Sequence, residues 1–270
     1  MINENHQTKP QYSLPQVLGI WAAAALPMAF LGWVVNPVLA STIDRPVGIT
    51  GIARVILLTL GLMWQFMLSM MIVYREAGSL SWATIKKRLR LNTPRDPKTG
   101  EPRKKLWLWL IPLSLLFPAF ELSIIPALAL NKLWVLLFPF FAEPPEYSFS
   151  KLMTSPEIRA QLVGAWWFFG LFIVLAVFNT FLGEEFLFRG VLLPKMNGAF
   201  GQWDWAANGF LFGIYHLHQP WGIPGSILIG ALLFALPAKH FQSTWMAIVV
   251  HSGQSVFFGL LILGIVLGLA

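Results

Sequence analysis

Long apolar runs, separated by short clusters of charge or proline, set the rhythm of this chain. Crossing a hydrocarbon core about 30 Å thick takes about 20 predominantly apolar helical residues, and several stretches qualify. Residues 17 to 40 (VLGIWAAAALPMAFLGWVVNPVLA) form the first, after a polar, proline-containing tail. The run is too long for a signal-peptide core and reads as an uncleaved anchor. A second span runs from about Gly51 to Tyr74, and a third begins after Lys105, where Pro112, Pro118, Glu121 and Pro126 predict kinks. NKLWVLLFPFF (131 to 141) is too short to span and reads as interfacial or re-entrant. Beyond a polar segment at 143 to 159, the uncharged stretch from Ala160 to Gly183 is the clearest span, and further spans are read at about 205 to 218, at 223 to 236 and from Phe241 to the C-terminus. No internal repeat interrupts this order. The pattern predicts an all-α, polytopic transmembrane bundle of about seven spans. It divides into a cytoplasmic tail (1–15), N-terminal transmembrane helices (16–159) and a helical core (160–270).

Composition agrees with that class. Apolar residues make up 56% and charged residues 11% of the chain, with a mean hydropathy of +0.65, outside the range of ordinary soluble domains. There is no cysteine, which excludes disulfides, thiolate catalysis and cysteine-ligated metal. The net charge of +7 is concentrated: ten of the nineteen Lys and Arg residues fall between Arg75 and Lys105, including KKRLR (86 to 90) and RKK (103 to 105). The positive-inside rule makes this loop, 75–105, cytoplasmic, in contact with anionic lipid rather than nucleic acid. Following the spans from there places Lys195 and Lys239 on the same side, although neither set the orientation. The expected location is a bacterial cell (plasma) membrane, multi-pass, with a cytoplasmic N-terminus.

Ionisable residues interrupt the apolar core in three places. The first is FLGEEFLFRGVLLP (181 to 194). Glu185 and Arg189, four apart, share a helix face and can pair as a bidentate bridge that holds helices in register. Glu184 points about 100° away from that pair. The second is FGIYH (212 to 216), where Phe212 lies on the face of His216 and can wall its ring; His218, two residues on, nears the helix end and reads as interfacial. The third is HSGQS (251 to 255). Measured at 1.5 Å per residue from cytoplasmic ends at Leu193, Ala206 and Phe241, Glu184, His216 and His251 each lie about 15 Å deep. Ionisable groups from three helices at one depth are costly in lipid and are expected to face one another across a polar cavity, at a depth that allows entry from the cytoplasm.

These three motifs, in order, resemble those of the CPBP family of intramembrane proteases, which includes the type II CAAX prenyl endopeptidases and bacteriocin-processing and immunity proteins. The resemblance covers about residues 160 to 260 and implies a peptidase that hydrolyses a peptide or membrane-protein substrate. Glu184 and His216 would activate water, and His251 with the position four residues later would stabilise the oxyanion. Where the family has asparagine, this chain has Ser255, a shorter donor; Gln254 could reach into the same place. The metal-free glutamate route is favoured, although Glu184, His216 and His251 could also ligate zinc with an open fourth position. A non-catalytic scaffold or immunity protein of the same fold is the alternative reading.

Overall fold

The computed structural model describes residues 10–42, 47–121, 126–148 and 154–269. Most of the N-terminal tail, the middle of the third expected span and part of the polar segment before Ala160 therefore lie outside the described residues.

Among the described residues the fold is carried, besides a single turn at Asn197–Phe200, by α1 (Leu14–Thr42), α2 (Val47–Ala77), α3 (Trp82–Arg88), α4 (Leu110–Glu121), α5 (Pro126–Leu137), α6 (Pro156–Leu162), α7 (Trp166–Lys195), α8 (Asp204–Tyr215), α9 (Pro220–His240) and α10 (Trp245–Val266). Local chemistry explains their ends and irregularities. Ser13 and Gln16 form a capping box at the start of α1, and Ser81 caps α3 by accepting from the Thr84 amide. Within α1, Pro27 has no N–H to offer the carbonyl of Ala23; the indole of Trp64 on α2 donates to that carbonyl at 2.8 Å instead. A proline in a spanning helix thus becomes a contact between two helices.

Five helices among the described residues are long and apolar enough to cross a membrane: α1, the Gly51–Ala77 part of α2, α7, α9 and α10. About seven spans are expected from the sequence; the described residues form a polytopic bundle with five such helices. Helices α4, α5 and α8 have 12 residues each, roughly 18 Å of rise, short of a hydrocarbon core. Helix α8 stops because His216 leaves helical geometry (φ −73°, ψ 36°) just ahead of the QPWG turn.

In the bundle α8 packs against α9, α2 runs along α7, and α10 contacts α7, α9 and α4; α1 covers α2 and α8, and α5 lies against α9. Large apolar side chains such as Leu115, Leu136, Phe140 and Leu260 remain exposed on the outside, as a lipid-facing surface requires.

One end of the bundle carries the basic segment. There Glu76, at the end of α2, is bonded to Arg88, to Lys195 at 2.8 Å and to the Tyr12 hydroxyl, tying four chain segments together. Burial and the Glu76 carboxylate push the Tyr12 phenol upward, so it keeps its proton and donates. Lys239 pairs with Asp204 at the same end. Both lysines therefore share the face of the basic loop, in agreement with the order of spans read from the sequence. Apart from Trp21 and Trp64, the tryptophans lie near the two ends of the helices: Trp82, Trp107, Trp109, Trp203, Trp205 and Trp245 at the basic end, with Trp33, Trp134, Trp166, Trp167 and Trp221 at the far end. That is the distribution of two interfacial belts.

Candidate active site

The centre of α7 is not a regular α-helix. Wide π-type turns at Phe178–Gly183 and Phe186–Leu192 flank Glu184 and Glu185, and a third at Gly230–Ala235 in α9 lies close by. Such turns redirect side chains and recur at functional sites. Two glycines allow the close approach. A Cβ on Gly183 would come within 2.9 Å of the Leu62 carbonyl oxygen of α2, and one on Gly230 within 2.6 Å of the Phe212 ring.

Glu184, His216 and His251 converge, as their common depth implies. Nε2 of His216 lies 3.9 Å from one Glu184 oxygen, and Nε2 of His251 lies 4.0 Å from the other. The second nitrogen of each ring is anchored. His216 Nδ1 is 2.9 Å from the Phe212 carbonyl oxygen, which can only accept, so Nδ1 carries the proton and Nε2 presents its lone pair to Glu184. His251 Nδ1 is 2.9 Å from Glu185 Oε1. Phe212 meets the His216 ring edge-on at 4.9 Å, the walling role read from its spacing, and Phe234 stacks on His251 at 4.5 Å.

Glu185 and Arg189 form the i, i+4 pair at 3.0 Å, with both side chains fully buried. The pairing is not bidentate. One guanidinium nitrogen takes Glu185 Oε1, the other donates to the Gly230 carbonyl at 3.1 Å, and the cation lies 4.1 Å from the Phe212 ring centre. Arg189 thus ties α7 to α9, while Glu185 also holds the third-motif histidine.

Ser255 and Gln254 both line the cavity beside the cluster. The Ser255 hydroxyl donates to Thr180 Oγ1 at 3.3 Å rather than to any member of the glutamate-histidine group. His218, expected at the interface, is instead buried, with its ring stacked 5.6 Å from His216, its carbonyl accepting from Arg54 and its Nδ1 without a partner.

Sequence reading missed two further residues. Tyr215 is fully buried beside Glu184, and Gln65 Nε2 of α2 donates to its hydroxyl at 2.6 Å. The only signal was the adjacency of Tyr215 to His216; nothing in the α2 pattern singled out Gln65.

The cluster forms one end of a cavity of about 460 Å³. In α7 its lining runs from Glu184 back to Phe172, and in α10 from His251 on to Phe258. Away from the cluster, Asn131, Asn179, Gln219, Ser226, Gln254 and Ser255 are interspersed among its apolar side chains. For zinc, bonds of about 2.0 to 2.1 Å put tetrahedral ligands roughly 3.3 Å apart. The contacts of Glu184 with the two histidines are wider than that, and no group of three His, Asp or Glu among the described residues is placed to hold a metal ion. The donors as arranged do not fit that group.

Residues 165–257 match the family model described as type II CAAX prenyl endopeptidase Rce1-like. No curated protein and no solved structure matches the chain. The matched stretch contains Glu184, Glu185, Arg189, Phe212, His216 and His251, so the three buried motifs and the family match coincide: residues 165–257 are a type II CAAX prenyl endopeptidase Rce1-like domain of the CPBP family.

Proposed function

We propose that the chain is an intramembrane endopeptidase in which Glu184 is the general base. The observation that carries this reading is the facing of one buried carboxylate with Nε2 of two histidines at 3.9 and 4.0 Å, each ring fixed through its other nitrogen. Those gaps exceed a direct hydrogen bond and have room for a shared water. Such a water donates one proton towards Glu184 and the other to the lone pair of His216 Nε2. As its oxygen adds to the scissile carbonyl carbon, Glu184 takes a proton and the carbonyl oxygen becomes an oxyanion; when the C–N bond breaks, Glu184 returns that proton to the departing amine. A His251 ring protonated on both nitrogens donates Nδ1–H to Glu185 and Nε2–H to the oxyanion, the Glu185 carboxylate offsetting its charge. The Tyr215 hydroxyl, held by Gln65, fixes the Glu184 carboxylate. The basic end of the bundle is cytoplasmic by the positive-inside rule, with Lys and Arg of 75–105 against anionic lipid of a cell membrane.

Purified parent, Glu184→Gln and His251→Ala are compared for cleavage of a quenched-fluorescence peptide library, with and without chelator. Cleavage by the parent that is unaffected by chelator and lost in both folded variants is the expected result. One observation favours a second reading, a non-catalytic peptide-binding scaffold: Ser255 is committed to Thr180, which leaves the oxyanion position with one donor fewer than the family pattern. Intact folding of all three proteins with no cleavage by any would select it.

A further inference from the structure

We infer that water and peptide reach Glu184 from the membrane face opposite the basic segment, so that the substrate is an extended segment of an exported or membrane-embedded peptide and not a cytoplasmic prenylated tail. The inference rests on the endopeptidase reading for its substrate, but its geometry stands apart from turnover.

Each long helix contributes to the cavity only from the part beyond the cluster. In α9 the lining runs from Phe234 towards Gly222, and in α2 from Leu62 towards Val55; with α7 ending at Phe172 and α10 at Phe258, all four lead away from the basic end. The far end is bordered by Gln219 and Trp221, in the aromatic belt. Among the described residues nothing from 186–195, 204–211 or 236–250 lines the cavity.

The basic end is sealed by the segment that the sequence marks as cytoplasmic. Every residue from Gly183 to Leu193 is buried. Arg88 donates to the carbonyls of Gly190 at 3.0 Å and Val191 at 3.1 Å, and Leu89, fully buried, presses on Gly190. Thr244 clamps the same place by donating to the Leu89 carbonyl at 2.6 Å. Beneath this plug the rings of Phe188, Phe212 and Phe234 pack around Arg189, and Phe212 and Phe234 form the cavity floor. Close-packed side chains of this kind leave no passage for water or a peptide. On the open side, walls that mix apolar side chains with Asn131, Asn179, Ser226 and Gln254 suit a peptide whose backbone still needs hydrogen-bond partners.

The absence of native cysteine makes the test direct. Ser226→Cys and Asn179→Cys, two cavity positions, and Lys98→Cys in the basic segment are treated with a membrane-impermeant maleimide in intact bacterial cells and in inverted vesicles, with full labelling in denaturant as the reference. The expected result is that the two cavity cysteines label only in intact cells and Lys98→Cys only in inverted vesicles. Labelling of the cavity cysteines from the side of Lys98→Cys, from both sides, or from neither overturns the proposal. Using two cavity positions guards against one variant misfolding. One-sided labelling together with no peptide cleavage by the parent would sink the endopeptidase reading and leave the access route standing.

Discussion

Glu185 places a single carboxylate oxygen 2.9 Å from His251 Nδ1 and 3.0 Å from Arg189, so the carboxylate that neutralises the buried arginine also orients the histidine of the third motif. The two adjacent glutamates therefore have separable parts. Glu185 carries the charge balance of the core, whereas among the described residues Glu184 faces two imidazoles at 3.9 and 4.0 Å with the Tyr215 hydroxyl nearby. Removing one member of a buried ion pair costs about 3–5 kcal/mol because the other charge is left uncompensated. Glu185→Gln is expected to destabilise by about that amount and to lower the melting temperature sharply in detergent. Glu184→Gln should melt within a few degrees of the parent yet lose cleavage. Equal destabilisation by both would contradict this division.

The Gln65–Tyr215–Glu184 chain predicts a positioning effect distinct from a structural one. Tyr215→Phe removes the hydroxyl beside Glu184 and leaves the Gln65 amide unsatisfied, a loss of about 1–3 kcal/mol that divides between ground state and transition state. The expected outcome is a fall in kcat of about tenfold with KM unchanged, and a shifted pH–rate profile, because the hydroxyl acts on the group that takes the proton. A purely structural role would lower the melting temperature without moving the pH profile.

At the basic end, Asp96 accepts from the Lys98 and Thr99 amides and pairs with Arg103, and these contacts hold its carboxyl below the ordinary carboxylate range. A depressed value in the folded state contributes order that is complete above the unfolded value, about 3.8, and is lost only as pH falls through the folded one. Trypsin cleavage after Lys98 should therefore be faster in Asp96→Asn than in the parent, by a ratio that does not change between pH 6 and 8. A ratio that varies with pH in that window would show that another group orders the turn.

The central constellation was legible because it rests on spacing and depth alone. Glu184, His216 and His251 each fall nine or ten residues from an expected helix end, and ionisable groups that deep in lipid have few options but one another. The contacts that refine the site depend on features a pattern does not encode. The π-type turns around Glu184 rotate α7 locally, so that Glu185 serves both Arg189 and His251, and Gln65 arrives from a helix whose apolar pattern is unremarked at that position. Fewer helices among the described residues have the length of a span than the pattern suggests, for a related reason. Residues 205 to 218 have the composition of a membrane helix, but the chain turns at His216 and uses that end to present the imidazole. The direction of the cavity was illegible as well, since only packing shows that the Arg88–Leu91 strip closes over Gly190.

Ser255 allows the oxyanion argument to be tested by gain of function. Its hydroxyl is bonded to Thr180 at 3.3 Å, so it contributes little to the reacting centre, and Ser255→Ala should change cleavage by no more than a few fold. Asn at this position, as in the family pattern, is longer and carries an N–H2 that can turn into the cavity the residue already lines. An additional oxyanion donor is worth about 10² to 10³ in rate. Ser255→Asn is therefore expected to raise kcat substantially, towards that range, with little change in KM, in single-turnover measurements that isolate the chemical step. Introduced into Glu184→Gln, the same change should give no cleavage, because a better oxyanion site cannot replace the base. If Ser255→Asn folds and leaves the parent rate unaltered, the oxyanion is stabilised elsewhere in the cavity, and Gln254, one residue away on the same wall, becomes the group to substitute next.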